Sequence, residues 1–325
     1  MSWKEFPKVE LHLHLEGAAP PAFIRGLAAE KKIDLTGVFD EHGHYAYRDF
    51  DHFLKVYEAA TEALKTPDDF KRLTQAVLEE LAEHNVVYAE TFVSPDFCGG
   101  GDVGAWREYL AAMQEAHVDG VTLKGIVTCI RHFGPEQAKT AALCAAETHG
   151  DFILGFGIAG AELVGTARDY LWSFDCAREA GLRLTAHAGE WGAPDTVRAT
   201  WKDLGVERLG HGVRASEDPA LVDDLAETGV VLEVCPGSNV ALGLYPDVAH
   251  HPIARLRDRG VKVTVSTDDP PFFHTTMTKE FENLERAFRW GAEDFDALNR
   301  TALEAAFCDD ETKARVAKQL DEATP

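Results

Sequence analysis

Lys8-Val9-Glu10-Leu11-His12-Leu13-His14-Leu15 alternates polar with apolar side chains, the period-two pattern of a β-strand. Residues i and i+2 of a strand leave the same face about 6.6 Å apart, so the imidazoles of His12 and His14 can converge on one point, such as a shared metal ion. A half-buried strand that merely carries two polar residues would alternate in the same way, so ligands elsewhere must decide. Seven more short runs rich in Val, Ile and Leu follow, at 86–92, 123–130, 152–158, 182–187, 207–211, 230–235 and 261–267. Helical stretches separate most of them. Strands that alternate with helices pair in parallel through right-handed crossovers, and eight such strands close a (β/α)8 barrel.

The gap between the first two runs is much longer than the others, so an insertion occupies residues 18–84 or thereabouts. Its expected helices lie near 20–31, 50–64 and 67–84. Pro67-Asp68-Asp69 suits a helix N-terminus, because proline is pre-set for the first turn and acids oppose the helix dipole favourably. After residue 268 the chain reads as helices to its end, including 279–290 and 310–322. No repeat, low-complexity tract or Gly/Ser linker divides the 325 residues, so one domain is expected.

With 45% hydrophobic and 27% charged residues the composition is that of a soluble globular protein. No apolar stretch approaches the roughly 18 residues of a membrane span. Fifty-five acidic against 32 basic side chains leave a net charge of -23, which opposes attraction to nucleic acid or an anionic membrane and suits a small neutral substrate. Cys98, Cys129, Cys144, Cys176, Cys235 and Cys308 are scattered with no C-x-x-C pair, which fits neither a disulfide scaffold nor a thiolate zinc site. Met1 to Pro7 lacks a basic-then-apolar leader, and a cytoplasmic location is the expectation.

In a barrel of this type chemistry sits at the C-terminal ends of the strands. Strand one ends in His12 and His14, strand five in His187, strand six in His211, and strand eight in Asp268-Asp269. A His/His/His/Asp set with one open position is a hydrolytic metal site, and zinc suits its nitrogen and oxygen donors best. Glu190, three residues past His187, can hold a proton in a desolvated cleft and serve as a general acid. Adjacent Asp268 and Asp269 point different ways on an extended backbone, so one can bind metal while the other meets substrate. His42-Gly43-His44 follows no strand and His250-His251 precedes a helix, so surface or loop roles are expected for both pairs, with pocket lining as the alternative.

These residues belong to five ordered motifs: Pro7–Gly17, Thr185–Glu190, Arg208–Arg214, Leu232–Val240 and Ser266–Pro270. Through them the chain resembles the adenosine deaminases of the metal-dependent amidohydrolase superfamily, over nearly its whole length. The resemblance implies that His12, His14, His187 and Asp268 bind one zinc ion per chain and that water attacks C6 of a purine. It implies that Glu190 protonates N1 and that His211, helped by Asp268, orients or deprotonates the water. Asp269 would meet N7 and the backbone N–H of Gly160 would meet N3. No lysine occurs in 151–165 to bridge a second metal, and no His-x-Glu with Pro-Cys-x-x-Cys signature of polynucleotide editing is present.

Adenosine and 2′-deoxyadenosine are the leading substrates on this resemblance, with free adenine or another 6-aminopurine such as aminofutalosine as the alternative. Two departures bear on the choice. Glu16 stands where vertebrate-type members carry an Asp that contacts the ribose 5′-hydroxyl, and Glu is the variant associated with adenine and aminofutalosine deaminases. Gly157 and Ala161 replace acids in the family's Asp-Leu-Ala-Gly-Asp-Glu run. Leu232–Val240, Thr267–Phe273 and the Gly-Val-Arg after His211 look more like the nucleoside enzymes. Trp191 can either stack on a base or cap the pocket.

Overall fold

Each of the eight runs becomes a strand within two residues of its expected bounds: β1 (Lys8–His14), β2 (Val86–Val93), β3 (Thr122–Ile130), β4 (Ile153–Ala159), β5 (Arg183–Ala188), β6 (Arg208–His211), β7 (Val231–Val234) and β8 (Lys262–Val265). The computed structural model describes residues 2–323. The strands pair in parallel in sequential order, and a parallel bridge between Leu13 and Asp268 closes β8 onto β1. The fold is a (β/α)8 barrel in one domain. Strands buried on both faces read as near-continuous apolar runs, and β2 is buried at every position.

β8 ends two residues before the expected 267, for a backbone reason. Asp268 has φ +69°, the left-handed region in which a non-glycine residue cannot continue a strand. Its N–H nevertheless donates to the His12 carbonyl and its carbonyl accepts from the His14 N–H, both at 3.0 Å. The ladder to β1 thus holds Asp268 beside the two histidines.

The insertion after β1 contains α1 (Pro21–Lys31), α2 (Phe50–Thr61) and α3 (Pro67–Glu83). α3 starts where the acids and proline place it. The Thr66 hydroxyl accepts from the Asp69 N–H and the Asp69 carboxylate accepts from the Thr66 N–H, a capping box worth about 1 kcal/mol. Six helices carry proline in their first turn, where its missing N–H costs no bond. Of the C-terminal helices Met277–Phe288, Ala292–Ala305 and Asp310–Ala323, the last two pack on β1 and β2, and Phe307 closes the lower barrel against Phe92 and Ile126. Among the described residues no helix is long and apolar enough to cross a membrane.

Candidate active site

β1 carries Glu10, His12 and His14, and the two histidine rings lie 5.4 Å apart between centroids. His187 on β5 faces them across the barrel, 4.5 Å from the His12 ring and 5.2 Å from the His14 ring. Gly210 on β6 makes the room, since a Cβ there would come 2.8 Å from His12 Cε1 and 3.2 Å from the His187 ring. Asp268 Oδ1 lies 3.3 Å from His14 Nε2 and 3.5 Å from His12 Nε2, while Nε2 of His14 and His187 are 3.2 Å apart.

These four side chains fit a metal ion. One ligand atom from each lies within 4.8 Å of the other three. His12 faces the Glu233 carboxylate through Nδ1 at 2.8 Å, so Nδ1 carries the proton and Nε2 turns a lone pair to the centre, buried and without a hydrogen-bond partner. Burial lowers the proton affinity of His14 and, joined by the neighbouring imidazoles, pushes His187 well below the usual histidine range. Neutral imidazoles are the form that binds metal. At His12 burial is outweighed by Asp268 and Glu233, which raise it to about 9, a measure of how strongly the carboxylates favour positive charge here. Burial opposes ionisation of Asp268, yet His12 and His14 hold it well below the carboxylate range.

Sequence reasoning did not single out the groups beneath this cluster. Glu233 joins His12 to Arg208, whose guanidinium also reaches Glu90 at 2.7 Å, all fully buried. Breaking such a buried pair costs about 3–5 kcal/mol. Ser238 donates to Asp268 Oδ2 at 2.7 Å. Glu233→Gln is expected to weaken metal binding about 10- to 100-fold, read by competition with a chelator. Unchanged affinity would remove Glu233 from the site.

His211 ends β6 at φ +59°, with Nε2 3.9 Å from both Glu190 Oε2 and Asp268 Oδ2. Burial drives it down to about 3, so it is neutral. A chain of bonds sets its tautomer: Ile253 N–H donates to His251 Nδ1, His251 Nε2 to Asn239 Oδ1, and Asn239 Nδ2 to His211 Nδ1. The proton of His211 is thereby on Nε2, facing the centre. His251 corrects the surface expectation, for it is buried in this chain, whereas His250, His42 and His44 are exposed.

A cleft of about 590 Å³ opens above the cluster, lined by His14, His187, Glu190, His211, Asp268, Asp269 and Gly160 and covered by Phe50, Phe53 and Tyr57 of α2. Burial first, then Asp268 and Glu162, push the Glu190 carboxyl well above its usual range, the direction that favours its protonated form. Burial and Asp268 do the same to Asp269, whose Oδ1 is buried without a partner. A Cβ at Gly17 would strike that oxygen at 1.6 Å, so only glycine fits there. Gly160 has φ +91° and presses on the His132 ring, which leaves no room for a side chain. Glu16 is buried and accepts from the Ser94 N–H at 3.2 Å and the Tyr57 hydroxyl at 3.4 Å. Trp191 packs on Phe50 at 4.9 Å between ring centroids, beside the cleft.

A profile of the family described as adenosine deaminase matches residues 7–323. The chain belongs to the adenosine deaminase family. Membership makes it a C–N aminohydrolase that acts on a small purine with water. Among its relatives, the adenine deaminase of Rhizobium leguminosarum bv. trifolii is 45% identical over 96% of this chain and 98% of its own length. That of Rhizobium rhizogenes is 46% identical over the same shares. In structure, this family member resembles adenine deaminase from Arthrobacter aurescens with a TM-score of 0.84 and 31% identity, covering 98% of both chains. It also resembles an amidohydrolase from Burkholderia ambifaria with bound Zn, with a TM-score of 0.87 and 28% identity over 99% of this chain and 92% of that one. These relatives overturn the expectation of adenosine and 2′-deoxyadenosine as leading substrates. Glu16, the residue that bore on the choice of substrate, is buried and bonded to the Ser94 N–H and to the hydroxyl of Tyr57, which lines the cleft.

Proposed function

We propose that the protein deaminates free adenine hydrolytically, giving hypoxanthine and ammonia, with zinc held by His12, His14, His187 and Asp268. The observation that carries this reading is 45–46% identity over 96% of the chain to adenine deaminases, from end to end rather than in one motif. Glu16, the variant that the resemblance associates with adenine deaminases, supports it, held in place by the Ser94 N–H and the Tyr57 hydroxyl. Bound zinc would supply a nucleophile at neutral pH by lowering the pKa of water to about 7.

The side chains around the cleft divide the remaining work. Glu190, protonated by burial, gives its proton to N1, which breaks the aromatic resistance of the ring as water adds to C6. His211 presents Nε2–H and so orients the attacking water as a donor; its low proton affinity leaves it a weak base. Asp269, also protonated, offers O–H to N7, and the Gly160 N–H meets N3. Of the two protons of the added water, one passes to the C6 amino group, which leaves as ammonia when the tetrahedral carbon collapses, and the other returns to the Glu190 carboxylate, while the oxygen remains on C6. Balance is one adenine and one water consumed for one hypoxanthine and one ammonia. Chromatography of zinc-loaded protein incubated with adenine is expected to show that one-to-one yield; intact adenine would reject the reading.

A further inference from the structure

Glu162 lies on the loop leaving β4, two residues past Gly160, and is 3% exposed. Its carboxylate receives four consecutive backbone N–H groups of the loop leaving β5. Gly189 donates to Oε1, while Glu190, Trp191 and Gly192 donate to Oε2 at 3.1, 2.8 and 3.0 Å. Bonds to a charged acceptor are roughly twice as strong as neutral ones, and one anion here collects four from a single short segment. The loop is shaped to admit it. A Cβ on Gly192 would lie 2.4 Å from Glu162 Oε1, and Gly189 turns through φ +78°. From the opposite side Arg214 donates to the Trp191 carbonyl and is itself held by Glu217.

The N–H side of the loop is thus gripped by a carboxylate and its carbonyl side by a guanidinium. Glu190 sits in the middle of the gripped segment, and its carboxyl group is the one acid that loop sends into the cleft. We propose that Glu162 is the positioning residue for Glu190, fixing the loop backbone so that the Glu190 carboxyl faces N1 of the purine. The inference rests on the adenine deaminase reading and on the acid role of Glu190. Glu162 touches no substrate in this account; it acts through the four amides. Its fixed charge beside Glu190 also favours the protonated acid, the direction in which that group is displaced.

Two zinc-loaded variants test the proposal. Glu162→Gln keeps the shape but removes the charge and turns an NH2 group toward amides that need an acceptor. Gly192→Ala crowds the same contact from the loop side with Glu162 intact. Both are expected to keep zinc content and KM for adenine within about threefold while kcat falls about 30-fold or more. In Glu162→Gln the alkaline limb of the kcat profile should move to lower pH, which a merely structural residue would not cause. A kcat within about threefold of the parent in both variants overturns the proposal, as does a loss matched by lost zinc or an unmoved pH profile. Parent enzyme inactive on adenine would instead count against the functional reading.

Discussion

Glu190→Gln is expected to lower kcat on adenine about a thousandfold, with zinc content and KM near those of the parent. Glutamine copies the size of the side chain and its place in the loop but has no proton to give N1. The size of the effect follows from how strongly the fold holds that proton. Glu190 is 5% exposed, and burial, Asp268 and Glu162 all disfavour its ionised form. The sign is definite. A raised pKa extends the acid form to higher pH than an ordinary glutamate allows, so activity is present below the raised value and is lost as pH rises through it. Steady-state kinetics with zinc-loaded variant and parent reads the result, and a rate within a few-fold of the parent would dismiss the proton-donor role.

Removal of metal should be as severe. Dialysis against a chelator is expected to lower turnover about a thousandfold or more and to lower the thermal midpoint, because a ligand at about 1,000 times its Kd stabilises the native state by about 4 kcal/mol. Zinc should restore both readouts in the parent. Asp268→Ala should not recover with zinc: it deletes the carboxylate that lies within 3.5 Å of His12 and His14 and leaves the Ser238 hydroxyl without its acceptor. Full activity in chelated protein, or zinc rescue of Asp268→Ala, would show that these four side chains are not the metal centre.

The barrel was legible because its strands are buried on both faces and so announce themselves as apolar runs. Even β6, four residues long, falls where its neighbours require it. β8 was read two residues too long because Val263-Thr264-Val265-Ser266-Thr267 looks uniformly extended, and no sequence period reports the left-handed turn at Asp268. Strand ends of a barrel share one rim, which groups His12, His14, His187, His211 and Asp268, and the family resemblance picks His12, His14, His187 and Asp268 from that group as ligands.

What supports those residues was hidden. Glu233 and His12 stand 221 positions apart, and only strand register places them 2.8 Å from each other. His251 looked like a helix-start surface residue because its Asn239 partner, on the short helix Pro236–Ala241, is brought to it only by the fold. Glu162 offered one signal, as the acid that remains in a run where Gly157 and Ala161 replace the others. The substrate went astray for a related reason. Motifs around the metal report the reaction shared by the family and leave the choice among purines open.

The most direct test of the account is the ratio of kcat/KM for adenine to that for adenosine, measured by ultraviolet absorbance on the same zinc-loaded preparation. The account predicts a ratio of about 100 or more in favour of adenine. Efficient turnover of adenosine with adenine left untouched would contradict it.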